Sequence, residues 1–274
     1  MLAVSKTTSI FKPAKFLHIR AGGHSVSSHF DHTTGHNVMG QQILTLGLAT
    51  TEGFVPIDSE LFTSQSKAQG LDTQFKDGRS IAAQRFRVAQ NQTKPEMAQA
   101  MIARAMRAGI DATYLLADAW FGTKPMLAIA EDALLTAIVR MKKNKMKYRL
   151  SLYTPDKVIY KEMDLATMYQ SEVRKQWEKV PGQPYQSKTV VVELNLNDSK
   201  EEEARWIKVR LVFVRGMAES EKQQPGKHDW VVFLSTDSNL LAMSGRSQNS
   251  GTPWALMACV RCFATPITAS TLKL

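Results

Sequence analysis

A strand–helix–strand pattern between residues 112 and 141 constrains the fold more than any other part of this chain. ATYLLA (112–117) is too short and too apolar for a helix of its own and predicts a strand buried on both faces, and LTAIVRM (135–141) predicts a second. KPMLAIAEDA (124–133) lies between them, and Thr123 can cap it as a helix. Strands joined by so short a crossover run parallel, so we predict a βαβ unit.

Asp118 directly follows the first of these strands, within YLLADAWFG (114–122). An unpaired carboxylate is costly to bury, so the presence of an aspartate directly after a buried strand has to be explained. The carboxyl end of a parallel strand is the edge of an open α/β sheet, where ligands and catalytic groups collect. The alternative is an aspartate that caps the next helix, but Thr123 is the better-placed cap. We therefore predict a functional carboxylate at Asp118.

Upstream of this unit, two extended segments predict a β-hairpin. They are VMGQQILTLGLAT (38–50) and FVPIDSELFT (54–63), with the turn at residues 51–53. The polar residues 64–92 that follow predict a long connection.

The segment from Thr93 to Gly109 predicts the clearest helix. Thr93 can cap it, Pro95 suits its first turn, Glu96 completes a capping box, and Gly109 ends it. Apolar residues recur at three- and four-residue spacing and predict its buried face, whereas two arginines are expected to point outward. The apolar set is Met97, Met101, Ile102 and Ala105, and the arginines are Arg104 and Arg107.

Beyond Tyr148 the pattern changes to alternating apolar and polar residues, which is typical of antiparallel strands. The predicted strands are KTVVVELNLN (188–197), RWIKVRLVFVR (205–215) and DWVVFLST (229–236). We therefore predict an antiparallel module added to an α/β core. Residues 238–274 show no sustained period and differ from the chain before them.

The formal net charge of +10 is unevenly distributed along the chain. Residues 1–30 carry four basic residues, residues 238–274 carry three, and neither segment contains an acid. RMKKNKMKYR (140–149) is the one dense basic run. It is either a solvated surface segment or a patch that binds DNA phosphates. The candidate DNA-binding residues are Arg140, Lys142, Lys143, Lys145, Lys147 and Arg149.

Composition indicates a globular chain, because 274 residues with 43% hydrophobic content can bury a real core. No run of 18 apolar residues occurs, and lysines and a proline interrupt the first 20 residues. We therefore expect neither a membrane span nor a secretory signal, and a cytosolic location.

The residues that could bind a transition metal do not match a standard site. Cys259 and Cys262 form a lone CxxC, whereas a zinc site needs four ligands. Four histidines cluster near Asp31, but their spacing fits no zinc module. They are His24, His29, His32 and His36. We expect no metal or redox role for either group.

Several motifs together resemble a known family. FDHTTGHNVMGQQILTLGLATTEGFVPIDSELFTS, YLLADAWFG, AIVRMKKNKMKY, KVRLVFVRG and DWVVFLSTD follow one another over roughly residues 30–238. Their order and spacing resemble the DDE transposases of bacterial insertion sequences, in the group whose RNase H-like catalytic domain carries a β-strand insertion. The resemblance implies an α/β fold with a mixed sheet, flanking helices and an antiparallel β-rich insertion. It also implies DNA as the partner and a cytoplasmic, DNA-associated location.

The same resemblance implies a metal-dependent reaction. In this family two divalent ions, usually Mg²⁺, assist in-line attack on a DNA phosphodiester during transposition. Three carboxylates converge to hold them, because each Mg²⁺ takes only one or two carboxylates. Asp118 corresponds to the second aspartate of this triad, in the family's Asp-x-Trp-Phe context, and is therefore the implied catalytic residue and metal ligand.

The other two acids of the triad have no counterpart here. The family's first aspartate lies on a strand upstream of the DHTTG-like segment, but residues 1–30 contain no Asp or Glu. The glutamate lies in a Tyr-x2-Arg-x3-Glu-x6-Lys helix after the LSTD-like segment, but residues 238–274 contain no acid. We therefore expect a transposase truncated or frame-disrupted at both ends that does not cut DNA. Asp31, Asp58 and Glu60 are the nearest substitutes, and we expect none of them to restore activity.

The predicted organisation has four parts: an atypical segment (1–30), a partial RNase H-like core (31–147), a β-rich insertion (148–237) and an atypical tail (238–274). Without the upstream strand the centre of the sheet would be empty unless part of residues 1–30, for example KFLHIR (15–20), fills it. If none does, two exposed sheet edges remain and favour aggregation. The functional alternatives are a defective transposase, a non-catalytic DNA-binding remnant, a fragment without selected function, and a metal-binding module. The oligomeric state stays open.

Overall fold

The computed structural model describes residues 1–10, 27–31, 35–49, 54–62, 78–179, 185–197, 203–216 and 230–238. The chain forms two compact units, Met1–Asp111 and Ala112–Leu274. No helix in the described ranges is both long and apolar enough to span a membrane.

The first unit contains an antiparallel sheet built around one long strand. Its strands are β1 (Leu2–Ile10), β2 (Ser27–Asp31), β3 (His36–Ala49) and β4 (Phe54–Phe62). β3 pairs with each of the other three. Since β1 and β4 both pair with residues 42–48 of β3, they lie on opposite sides of it. The predicted hairpin is therefore confirmed as β3 and β4, and its turn lies outside the described residues.

β1 belongs to the N-terminal segment, part of which was a candidate to fill the gap beside the hairpin, and it lies in that position. Leu2 to Ile10 pair with β3 from Leu48 back to Gly40. Leu2 is fully buried, which anchors the start of the strand. Our candidate for this role, residues 15–20, lies outside the described residues. LAVSKTTSI has too few apolar residues in alternation to stand out as a strand, so pairing with β3 decides its conformation.

Two helices complete the first unit, α1 (Ile81–Asn91) and α2 (Lys94–Arg107). α1 shows that our prediction of one long connection over residues 64–92 is wrong for its last part. Ser80 caps this helix by accepting a hydrogen bond from the Ala83 backbone N–H at 3.2 Å. Only Ala83 and Phe86 are buried on it among its described side chains, so its apolar pattern is too sparse to predict a helix.

The sequence prediction for α2 is confirmed in its caps and its buried face. Thr93 and Glu96 form the capping box, and Gly109 takes a positive φ of 78° beyond the helix end. The capping hydrogen bonds from Thr93 lower the pKa of the Glu96 carboxyl. The buried residues are the four predicted ones together with Ala98.

Arg104 differs from its predicted outward position. Its Nε donates to Asp58 at 2.8 Å and its Nη2 donates to Glu60 at 2.7 Å. Asp58 and Glu60 lie opposite the buried Leu46 and Leu44 in the β3–β4 register, so they share the core face of the sheet. Carboxylates on that face require a cation, and α2 supplies one.

The second unit combines one parallel strand pair with an antiparallel sheet. The strand order is β5-β6-β12-β11-β10-β7-β8, with β9 beside β10. The strands are β5 (Tyr114–Ala117), β6 (Thr136–Met141), β7 (Tyr148–Tyr153), β8 (Val158–Met163), β9 (Glu178–Lys179), β10 (Tyr185–Asn195), β11 (Trp206–Gly216) and β12 (Trp230–Ser235). The helices are α3 (Lys124–Asp132), the short α4 (Leu165–Met168) and a π-helical turn (Tyr169–Val173).

The predicted βαβ unit is confirmed, because β5 and β6 pair in parallel with α3 between them. The three later strands are also confirmed as β10, β11 and β12. β12 pairs antiparallel with β6, so these strands extend the sheet of the βαβ unit. The predicted mixed α/β fold class is therefore confirmed, and the predicted domain boundaries stay a prediction.

Thr123 occupies the N-cap position of α3, but its side chain makes no capping hydrogen bond. Its Oγ1 is buried and has no hydrogen-bond partner in the part of the chain that the structure describes. The position was thus predicted correctly and the capping interaction was not.

Arg104→Met should loosen the contact between α2 and β4 by leaving two carboxylates unpaired. We expect a loss of about 1 kcal/mol, because solvent screens the half-exposed guanidinium. Hydrogen exchange of the α2 backbone amides should accelerate about five-fold. Arg107→Met is the matched control, since among the described residues Arg107 donates a hydrogen bond only to the nearby Ala103 carbonyl. Equal acceleration in both variants would contradict the assigned role of Arg104.

Candidate active site and nucleic-acid interface

Asp118 lies one residue beyond the carboxyl end of β5, as predicted. Its side chain is half-buried, and its carboxylate accepts a hydrogen bond from the Trp120 backbone N–H at 2.8 Å. Its backbone carbonyl accepts a second from the Phe121 N–H at 3.0 Å. The carboxylate therefore stabilises the turn that follows it, which is the local reason why an aspartate suits this position.

Phe121 and Gly122 anchor this turn against the neighbouring strand. Phe121 is only 1% exposed and fixes the turn to the core. A Cβ added to Gly122 would lie 2.6 Å from the Arg140 carbonyl oxygen and 3.1 Å from the Met141 sulfur. Only glycine permits so close an approach to the β6 backbone. The Asp118 turn is consequently held against the end of β6.

The acids that could join Asp118 do not form a metal site in the described ranges. No group of three or more His, Cys, Asp or Glu side chains lies close enough to hold a metal ion there. Asp58 and Glu60 are ion-paired with Arg104 within the first unit. Asp31 ends β2, and its side chain lies outside the described residues. The described residues therefore do not fit the two-metal site that the resemblance implied.

The basic run divides between a strand, a loop and a second strand. Arg140 is half-buried on β6, and Arg149 is half-buried on β7. Lys142, Lys143 and Lys145 are exposed in the connecting loop. Since β5 and β6 are parallel, this loop leaves the sheet at the same edge as Asp118.

Two members of the run are neutralised by carboxylates. Lys147 lies 3.3 Å from Asp164, and Arg149 lies 2.7 Å from Glu193. The pKa of Asp164 is lowered to about 2, first by hydrogen bonds from Thr167 at the start of α4 and then by Lys147. Asp164 therefore stays ionised at neutral pH, and Lys147 has a constant counter-charge.

The first two loop lysines lie over aromatic rings. The Lys142 ammonium is 4.1 Å from the centre of the Trp120 ring, and the Lys143 ammonium is 4.0 Å from that of Trp230. Trp230 in turn stacks on Tyr169, with ring centres 4.5 Å apart. These cation–π contacts hold the loop in place without removing its positive charge.

Several predicted positions lie outside the described residues. They include Cys259, Cys262, His24, His32 and the side chain of His29. The expectation that they hold no metal stays a prediction.

Sequence reasoning did not assign a role to Trp120 or Gly122. The aromatic pair followed by glycine, directly after Asp118, was the available signal. The approach of Gly122 to β6 and of Lys142 to Trp120 depends on strand pairing, which sequence spacing alone does not show.

Comparison with protein-family models matched residues 17–206 to the family described as DDE superfamily endonuclease. The matched region covers more than half of the chain and includes β5, β6 and Asp118. A search of curated proteins found no match.

Gly122→Ala should destabilise the second unit, because the Arg140 backbone cannot move aside as a flexible side chain could. We expect a loss of about 1–3 kcal/mol in the free energy of unfolding, measured by urea denaturation. Gly78→Ala is the control, since its added Cβ would meet only an Arg87 side-chain nitrogen at 3.8 Å. Unchanged stability of Gly122→Ala would show that the turn is not packed as described.

Proposed function

The chain belongs to the DDE superfamily endonucleases, and we propose that it is a transposase-type protein that binds DNA but does not cleave it. The DNA would be the ends of an insertion sequence. The observation that carries this proposal is that no group of three or more potential metal ligands, with Asp118 or without it, lies together within the described ranges.

The chemistry of the family explains why one carboxylate is too few. When bound, a pair of divalent ions stabilises the attacking and leaving oxygens of a phosphodiester. Mg²⁺ in such a pair depends on several converging carboxylates, since each ion is held by one or two. Asp118 would supply one such carboxylate, and its carboxylate also accepts a hydrogen bond within its own turn.

The acids elsewhere support the same conclusion. Asp58 and Glu60 would have to leave Arg104 to bind a metal, which would expose an unpaired guanidinium against the core face of β4. β1 contains no acid, although it pairs directly with β3. Residues 238–274 contain none either.

DNA binding is supported by the charge at the Asp118 edge of the second unit. Lys142, Lys143 and Lys145 are exposed in one loop there. The cation–π contacts of the first two limit the entropy lost when DNA is bound. Phosphate contacts by such lysines give affinity without sequence preference, so they would position the protein on DNA.

Purified protein should not nick supercoiled or linear DNA carrying terminal repeats, with either Mg²⁺ or Mn²⁺. The reason is that the described residues contain no group of three potential ligands that could hold the metal ions. Products are resolved on denaturing gels, with Asp118→Ala as the matched control. Cleavage by the unchanged chain that disappears in Asp118→Ala would contradict the proposal.

Duplex DNA affinity should fall steeply with salt, and Lys145→Ala should reduce the slope of log K against log[salt] by about one. Lys145 is the most direct choice, because no carboxylate pairs with it in the described part of the chain. Lys188→Ala removes the same charge from a residue paired with Glu178 and serves as the control. Fluorescence anisotropy at several salt concentrations gives both slopes. Salt-independent binding, or equal effects of the two variants, would argue against the loop as a DNA contact.

A further inference from the structure

Trp120 is a large aromatic side chain that the fold displays next to Asp118. It is 46% exposed, although its neighbour Phe121 is almost completely buried. A single exposed aromatic needs no functional explanation. Three further observations on its surroundings, however, do point to a function.

The first observation is that the backbone of the turn that carries Trp120 is held in place. The Trp120 backbone N–H donates a hydrogen bond to the Asp118 carboxylate at 2.8 Å. Phe121 is buried, and Gly122 packs on the Arg140 carbonyl. The indole is therefore presented by an ordered turn, so little conformational entropy would be lost if a planar ligand stacked on it.

The second observation is the cation beside the ring. The Lys142 ammonium lies 4.1 Å from the Trp120 ring centre. Lys142 is exposed, and no carboxylate forms an ion pair with it in the described ranges. Its charge can therefore act on an anion that approaches the indole.

The third observation is the contrast with Trp206, which is 36% exposed. The Arg149 guanidinium lies 3.6 Å from that ring centre, but Glu193 neutralises it at 2.7 Å. Arg149 and Glu193 face each other directly on β7 and β10, so this pair joins two strands. The Trp120 and Trp206 pairs thus differ in electrostatic character: Glu193 neutralises the cation of the Trp206 pair, whereas no carboxylate in the described ranges pairs with that of the Trp120 pair.

We propose that Trp120 and Lys142 form a binding site for one unpaired nucleotide of single-stranded DNA. The base stacks on the indole, and the adjoining phosphate pairs with the Lys142 ammonium. A planar aromatic surface beside a cation is the combination that binds single-stranded nucleic acid with little sequence preference. Trp120 follows Asp118 by two residues, so the site would position a frayed DNA end at this edge of the sheet. This inference rests on the proposed DNA binding.

The test compares single-stranded and closed duplex DNA in fluorescence anisotropy. The single strand is a labelled oligonucleotide of about 12 nucleotides, and the duplex is a dumbbell without ends. Trp120→Leu removes the stacking of one base, so it should weaken single-strand binding about ten-fold or more. It should change dumbbell binding less than about two-fold. Trp120→Phe should recover part of the affinity, because a smaller ring still stacks. Lys142→Gln should weaken binding of both DNAs.

Trp206→Leu is the matched control and should leave binding of both DNAs unchanged. Circular dichroism and thermal melting verify that each variant folds. If Trp120→Leu does not fold, Trp120→Phe and Lys142→Gln still test the site. Single-strand affinity equal to that of the unchanged protein in both variants would overturn the proposal. If the dumbbell binds but Trp120→Leu keeps its single-strand affinity, the nucleotide site is wrong and the proposed function stands. If neither DNA binds at low salt, both are wrong.

Discussion

The parallel pairing of β5 and β6 is the constraint on which the candidate site depends. Parallel strands end at the same edge of a sheet, so the turn after β5 and the loop after β6 emerge side by side. Gly122 makes this proximity tight by packing directly on the Arg140 carbonyl. A carboxylate, an exposed indole and a lysine are thereby placed together, although Asp118 and Lys142 are 24 positions apart in the sequence.

Charged residues in this protein differ in role according to their partners. Arg104 neutralises Asp58 and Glu60, so these acids stabilise the packing of a helix on a sheet. Arg149 and Lys147 are neutralised by Glu193 and Asp164, which joins strands and orders the chain near α4. Lys142 and Lys143 instead place their ammonium groups over the rings of Trp120 and Trp230. Composition and net charge alone do not separate these three roles.

Local sequence patterns predicted the elements whose signals are self-contained. The capping box of α2 lies within four consecutive residues, and β5 and β6 are short continuous apolar runs. The prediction was wrong where the conformation depends on distant partners. β1 has a weak strand pattern and is a strand because β3 pairs with it, and α1 buries too few residues to show helical periodicity. Arg104 was expected to face solvent, because only the β3–β4 register reveals the two acids opposite it.

The sequence by itself determined that a βαβ unit carries Asp118 at a strand end, because apolar runs, a capping residue and a short crossover are all local properties. It also determined that the two ends of the chain contain no acid. Tertiary structure alone decided which side chains meet at that edge. The close approach of Gly122 to β6, the cation over Trp120 and the pairing of Asp58 and Glu60 with Arg104 all arise from contacts between residues far apart in the chain. Such contacts depend on strand register and helix packing, which no local pattern specifies.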